Sequence, residues 1–349
     1  MEHKGMNLRN ILSCGTFLLI AFFSCGGSDG GETKAPVLTD KEIDAERAKV
    51  LAYISDLSGG GVEGVLSGQN CGHGNEIAEW NYDRFIEALH TQTGQYVSII
   101  GVDYEYMREY TVDELKAANT VFKKHWLNGG LVAINMSPVN PWGNKHNWED
   151  IKFSWPGTKY NGTDLMKLIT PGSEVYDAWM AKLDRIAEGL KDLRDAGVIV
   201  MWRPMQEMNG WWFWWGKTDK DHLSDSHDAY VAVWRHMHDY FTKEKKLNNL
   251  LWVFSPTQNQ KFSSFPYPGD AYVDIVAGTE YLDDLSITGY EDFLAYGKPI
   301  GIAEYGPSEF GLKVDGSFDN RQYLTRLKND YPKVAYWMTW ESWTNADGT

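Results

Sequence analysis

Gly197-Val198-Ile199-Val200-Met201-Trp202-Arg203-Pro204-Met205-Gln206-Glu207 is a mostly apolar, β-branched run that breaks at a proline and ends on a carboxylate. Short runs of this kind, apolar at consecutive positions, read as strands buried on both faces, as in a parallel sheet. Comparable runs recur on either side: Gly64–Gln69, Tyr96–Asp103, Gly130–Met136, Asn249–Ser255, Tyr272–Gly278, Lys298–Ala303 and Val334–Thr339. Helix-like segments lie between them, including Thr111–Leu127, Ser173–Ala196 and Ser226–Lys245. In the second of these, Trp179, Leu183, Ile186, Leu190 and Leu193 return at intervals of three and four, the spacing of one buried stripe. Eight strands alternating with helices predict an α/β chain closed as a (β/α)8 TIM barrel rather than an open sheet, with its chemistry at the C-terminal ends of the strands. Thr349 follows the eighth run too closely for a covering helix, so the barrel reads as truncated before its final helix; imperfect closure is the alternative.

Two of the runs end on glutamate. Glu207 closes the fourth, and Glu304, in Ile300-Gly301-Ile302-Ala303-Glu304-Tyr305-Gly306, closes the seventh. In a closed barrel strands four and seven lie nearly across the axis, so inward side chains at their ends meet over the mouth. Cleavage of a glycosidic bond needs such a pair, one carboxyl to protonate the departing oxygen and one to attack or guide water; a separation of about 5 Å gives retention of configuration. The alternative for each glutamate is an ion pair with a neighbouring base. Beyond Glu207 come Trp211, Trp212, Phe213, Trp214 and Trp215. Indole faces suit the C–H faces of pyranose rings, and apolar surface beside Glu207 should raise its pKa toward the range of a general acid. So many large aromatics in one short stretch cannot all enter one core, so several are expected to line a groove; core filler is the competing reading.

The chain has 349 residues, a formal charge of −15, 43% hydrophobic and 14% aromatic residues, with 16 tryptophans and 19 tyrosines. It is long enough for a large core, and its acidity without Lys/Arg clusters argues against nucleic acid or an anionic surface as partner. A neutral glycan fits better. Lys4 and Arg9 precede an apolar run, Ile11 to Phe23, and then Ser24-Cys25-Gly26-Gly27-Ser28. Residues 1–24 therefore read as a secretion signal, 25–40 as a flexible tether and 41–349 as the barrel. The small residue before Cys25 resembles a lipobox, which would leave Cys25 as a lipid-modified N-terminus, although Phe22 stands where leucine is commoner; an ordinary signal peptide is the alternative. An outer-membrane lipoprotein is expected, held to the membrane only by its lipid, and Asp29 and Glu32 lean toward surface display. Cys71 has no cysteine partner in the mature chain, no Cys/His spacing suggests a metal, and neither a cofactor nor an oligomer is expected.

Arg203-Pro204, Glu207-Met208-Asn209-Gly210 and Trp212-Phe213-Trp214-Trp215-Gly216 carry a resemblance to glycoside hydrolase family 26, extending from about Gly64 to Trp340. Tyr267-Pro268-Gly269-Asp270, Tyr272-Val273-Asp274-Ile275-Val276 and Trp340 match more weakly. The family's founding activity is endo-β-1,4-mannan hydrolysis; rarer members act on mixed-linkage β-glucan or β-1,3-xylan. By position the resemblance implies that Glu207 is the acid/base and Glu304 the nucleophile. It further implies that Tyr281 hydrogen-bonds the nucleophile, that Trp212 stacks a sugar on the leaving-group side, and that Trp340 floors the subsite where cleavage occurs. A phenol donating to Glu304 would keep it anionic and oriented. Arg203 would add positive potential beneath it, with a core salt bridge as the alternative.

Three positions depart from the family. Gln206 replaces the histidine usual before the acid/base, Ser137 stands where another histidine is usual in the third strand-end loop, and Thr279 replaces an aspartate. Gln206 can still donate an N–H to a sugar hydroxyl, so the carboxylate chemistry survives while the choice of sugar is put in doubt. His73 could touch substrate or stabilise its loop. Asp103 and Glu105 could bind distal hydroxyls or form a solvated rim. His236 and His238, two apart on a helix, do not face one metal. The leading expectation is a retaining endo-acting β-mannanase. The competitors are a hydrolase of another β-glycan and a surface lipoprotein that captures glycan without cutting it; a purely structural envelope protein would have no use for the carboxylate pair.

Overall fold

A computed structural model describes residues 38–73, 77–105, 108–143, 164–210, 212–216, 223–257, 266–282, 286–306, 319 and 321–340. The expected signal, Cys25, most of the tether and Trp211 lie outside the described residues, as does the side chain of His73. Eight parallel strands, β1 (Leu66–His73), β2 (Ile99–Asp103), β3 (Leu131–Met136), β4 (Val200–Pro204), β5 (Leu250–Phe254), β6 (Ile275–Glu280), β7 (Ile300–Tyr305) and β8 (Val334–Thr339), pair in sequence order. Pairing of β8 with β1, from Leu66 opposite Tyr336 to Gln69 opposite Thr339, closes the barrel, so the alternative of imperfect closure does not hold.

The helices on the outside include α3 (Val112–Leu127), α4 (Tyr176–Asp195) and α5 (Leu223–Asp239). Between β1 and α3, a helix α2 runs over Ile77–Glu87 and on through Ala88–Thr93. The α4 stripe is buried as its spacing implies, with Trp179, Leu183, Ile186 and Leu190 fully enclosed against outward strand residues such as Val132, Ile134 and Trp202.

One helix was not anticipated. Helix α1 (Asp40–Gly59) starts at a capping box: the Thr39 hydroxyl accepts from the Glu42 amide, the Glu42 carboxylate accepts from the Thr39 amide at 2.8 Å, and the helix stops at Gly60 in the left-handed region, φ 80°. Its face of Ile43, Val50, Ile54 and Leu57 joins the inward residues Leu66, Ile99, Leu131, Ile199, Leu251 and Ile275 in one core. Each such side chain contributes roughly 1.5–3 kcal/mol by leaving water. Arg47 ties the helix down, donating to the Leu250 carbonyl at 2.5 Å and to Asp274 at 2.6 Å. Helix α1 thus seals the N-terminal end of the barrel and leaves the opposite mouth for function.

Strand alternation carries the core upward to that mouth. Met201, Val253 and Ala277 point inward, and two residues on, the same alternation turns Arg203, Ser255 and Thr279 inward as the topmost interior layer. Between β6 and β7 the register slips: Gly278 faces Ile302, yet Thr279 faces Glu304, making Ala303 a bulge residue. Bulges beside a site re-aim the next side chain, and here the one affected is Glu304.

Candidate active site

Glu207 sits on a strained turn. Met205 (φ 48°) and Glu207 (φ 56°) both occupy the left-handed region, which costs a non-glycine residue roughly 1–2 kcal/mol. Neighbouring elements hold the turn in place. The Met205 amide donates to the Met136 carbonyl (2.9 Å) and the Glu207 amide to the Ser255 carbonyl (2.7 Å), so β3 and β5 grip it from either side. Tyr230 of α5 donates to the Met205 carbonyl (3.0 Å), and the Trp215 indole donates to the Gln206 carbonyl (2.8 Å). Asn209 exchanges two hydrogen bonds with the backbone of Thr257, at 2.8 and 3.1 Å.

This overturns part of the groove reading. Trp214 and Trp215 are fully buried and Phe213 nearly so; Trp214 donates to the Pro138 carbonyl at 2.6 Å, Trp215 holds the turn, and Phe213 stacks on Trp215. They are the scaffold of the turn that carries Glu207. Trp212 alone of the described tryptophans here is half-buried, and its indole N–H donates to Glu207 Oε2 at 2.7 Å. Its ring lies so close over Gly210 that a Cβ there would come within 2.5 Å of it.

The Glu207 pKa is pushed up to about 7, first by burial and next by the negative charge of Glu304. Hydrogen bonds from Thr279 Oγ1 to Oε1 (2.6 Å) and from Trp212 act the other way, as does Arg203. The direction expected from the sequence is therefore right, but the indole opposes it, since an N–H donor favours the anion.

Glu304 accepts one hydrogen bond on each oxygen: Arg203 Nη1 donates to Oε1 at 2.5 Å and the Tyr281 hydroxyl to Oε2 at 2.7 Å. The two readings of Arg203 coincide, because the core salt bridge is made with the candidate nucleophile itself. Arg203 Nε also donates to Ser255 Oγ at 2.7 Å, fixing the guanidinium plane. Removing one partner of a buried ion pair strands the other, typically at 3–5 kcal/mol. Arg203→Met is accordingly expected to lose about that much stability in urea unfolding at neutral pH, and Arg203→Met combined with Glu304→Gln to recover most of it. A single-variant loss below about 1 kcal/mol would show that the pair does not hold this layer.

Gln206 and Ser137 belong to a chain running across the rim. Gln206 Nε2 donates to Ser137 Oγ (2.6 Å), which donates to Asp103 Oδ2 (2.5 Å), while Asp103 Oδ1 accepts from the amides of Ser137 and Glu105. The Gln206 Oε1 atom is buried with no hydrogen-bond partner among the described residues. Both suggestions for Asp103 and Glu105 fail, since neither a distal sugar site nor a solvated rim describes them. Both are buried; Asp103 braces Ser137, and Glu105 is paired with Lys182 and, at 2.8 Å, with Arg185. Trp340, nearly buried, is anchored through its backbone, donating to the Tyr305 carbonyl (2.9 Å) and accepting from Gln69 (3.1 Å). His236 and His238 lie on α5, away from the mouth; His238 contacts Asp239, Trp252 and Tyr272. Thr279 and Thr257 were missed as site residues: the sequence marks Thr279 only as a departure, and nothing local marks Thr257.

A (β/α)8 barrel that presents two glutamates in contrasting environments at its C-terminal mouth has the layout of a two-carboxylate glycoside hydrolase. Residues 39–348 match the glycosyl hydrolase family 26 profile, and the chain belongs to that family. It is 32% identical over 324 residues to mannan endo-1,4-beta-mannosidase A and B of Caldalkalibacillus mannanilyticus, covering 91% of this chain and 60% of that protein's length. It is 32% identical over 308 residues to a mannan endo-1,4-beta-mannosidase of Bacillus subtilis, covering 85% of this chain and 80% of that one. Among solved structures, Bacillus subtilis mannanase man26 superposes with a TM-score of 0.71 at 28% identity, over 85% of each chain.

Proposed function

We propose that this chain is a retaining endo-β-1,4-mannanase acting on mannan, galactomannan or glucomannan by double displacement. The observation that carries the reading is the contrast between the two glutamates: Glu304 is bonded by a guanidinium and a phenol, while Glu207, buried beside it, has its pKa raised to about 7. In the first step Glu304 attacks the anomeric carbon as Glu207 gives its proton to the departing glycosidic oxygen. In the second, Glu207 takes a proton from water, which displaces Glu304 and restores both groups. Arg203 and Tyr281 orient the nucleophile; Trp212 and Trp340 bracket the cleaved bond, and Gln206, braced by Ser137, meets the sugar. The mannanases among its relatives support β-mannan as substrate.

The test is a product profile on galactomannan, glucomannan, mixed-linkage β-glucan and β-1,3-xylan. Internal cleavage of the two mannans to short oligosaccharides is expected; hydrolysis of none of the four by folded protein would sink the catalytic reading. Gln206, Ser137 and Thr279, which replace ionisable side chains, favour the second reading, a hydrolase of another β-glycan, and that result would appear in the same assay. A pure binder would show oligosaccharide affinity that survives Glu207→Ala and Glu304→Ala, with no new reducing ends. We further propose export as a lipoprotein anchored through Cys25. Cys25→Ala should abolish labelling by palmitate in the bacterial host, and persistent labelling would refute the anchor.

A further inference from the structure

The residue that meets Glu207 from β6 is an uncharged hydroxyl. Thr279 is fully buried, its Cα stands opposite Glu304 because of the bulge at Ala303, and its Oγ1 reaches Glu207 Oε1 at 2.6 Å. Behind it, Thr257 forms an isolated parallel bridge with Thr279, and their hydroxyls lie 3.1 Å apart. Thr257 is itself held by Asn209, two residues beyond Glu207, so the relay and the turn that carries the acid/base form one closed loop of contacts.

The two partners of Glu207 differ in kind. An indole N–H can only donate, so Trp212 serves Oε2 best when the carboxyl is ionised. A hydroxyl donates or accepts by rotating. With Glu207 ionised, Thr279 donates to Oε1 and accepts from Thr257. With Oε1 protonated, Glu207 donates to Thr279, which turns its own proton toward Thr257. We propose that Thr279, backed by Thr257, is a positioning residue that stays hydrogen-bonded to Glu207 through both of its protonation states, holding one carboxyl in register for the acid step and then for the base step. No proton leaves the relay: the one given to the leaving oxygen comes from Glu207 and is replaced from water, while the two threonines only rotate. The inference rests on the acid/base role proposed above for Glu207.

Among the described residues the charged groups facing Glu207 are Glu304 from β7 and Arg203 from β4; its other near partners, Thr279 on β6, Ser255 and Thr257 beyond β5, and the Trp212 N–H, are neutral. Loss of the Thr279 hydroxyl takes a donor from the anion and an acceptor from the acid, and because the bond to the charged form is the stronger, the anion loses more. The test is the titration of Glu207, followed by carbon NMR of protein labelled at the glutamate carboxyls and assigned with Glu207→Gln, in wild type, Thr279→Val, Thr279→Ser and Thr257→Val.

Thr279→Val should raise the midpoint by about one pH unit, as expected for a hydrogen bond to a charged group, and Thr279→Ser should restore it. Thr257→Val should move it the same way by less. On substrate, Thr279→Val should lower kcat roughly tenfold with little change in KM and carry the alkaline limb of its pH profile upward with the midpoint. A folded Thr279→Val whose midpoint lies within about 0.3 unit of wild type would overturn the proposal. If wild type cuts no glycan, the acid/base reading fails, and the titration still decides whether Thr279 controls the protonation of Glu207.

Discussion

Glu304→Ala should lower kcat/KM on mannan roughly 10⁴-fold or more, the loss of at least about 5 kcal/mol of transition-state stabilisation. The size follows from the role proposed for the side chain: in double displacement it forms the bond to the anomeric carbon, and the remaining groups have no substitute for it. Removing the carboxylate also leaves the Arg203 cation and the Tyr281 hydroxyl facing an empty space, so some stability should go with the activity. Glu304→Gln, which keeps the volume and the hydrogen-bond acceptor, separates the two effects; it should remain folded and be as inactive. The space opened in Glu304→Ala admits a small anion next to a fixed guanidinium. Azide with an activated aryl glycoside should then restore turnover and yield the α-glycosyl azide. Rescue that yields the β-azide would place the nucleophile elsewhere.

Glu207→Ala should reduce mannan cleavage by about 10²–10⁴-fold, the range of general acid–base catalysis, yet scarcely slow the first step on a substrate whose leaving group needs no proton. That contrast separates an acid from a residue that merely holds the fold. In wild type, kcat/KM should fall as pH rises through about 7, where Glu207 loses its proton, and Glu207→Ala should lack that limb. Stability follows with a definite sign. The folded pKa lies above the ordinary carboxylate value of 4.5, so the unfolded chain gives up this proton first and stability declines as pH climbs from about 4.5 to 7. Glu207→Gln should therefore gain on wild type by about 3 kcal/mol between pH 4 and pH 8 in urea unfolding. A gain that is flat with pH would mean that Glu207 is not buried as an acid.

The barrel was legible because its strands are buried on both faces and must read as unbroken apolar runs; Val334–Thr339 lies where the run placed it. Glu207 and Glu304 were legible for a related reason: each closes such a run at the rim where strand ends converge, although Asp103 closes one too and braces Ser137 instead. Helix α1 escaped notice although Thr39 and Glu42 spell a capping box, because its apolar residues are sparse and its partner is the floor of a barrel rather than a sheet face. The tryptophans misled because burial depends on direction as well as type. Trp214 and Trp215 carry polar edges that satisfy backbone carbonyls from inside the core. Strain at Met205 and Glu207 leaves no trace in residue type, since neither is glycine, and the slip at Ala303 that sets Thr279 against Glu304 arises only from pairing.

The central claim, that one glutamate attacks while the other alternates between acid and base, is tested most directly by the configuration of the first product. Proton NMR of the new reducing end, recorded within minutes of adding wild-type protein to a mannooligosaccharide and before mutarotation, should show the β-anomer first. Appearance of the α-anomer first would contradict double displacement through Glu304.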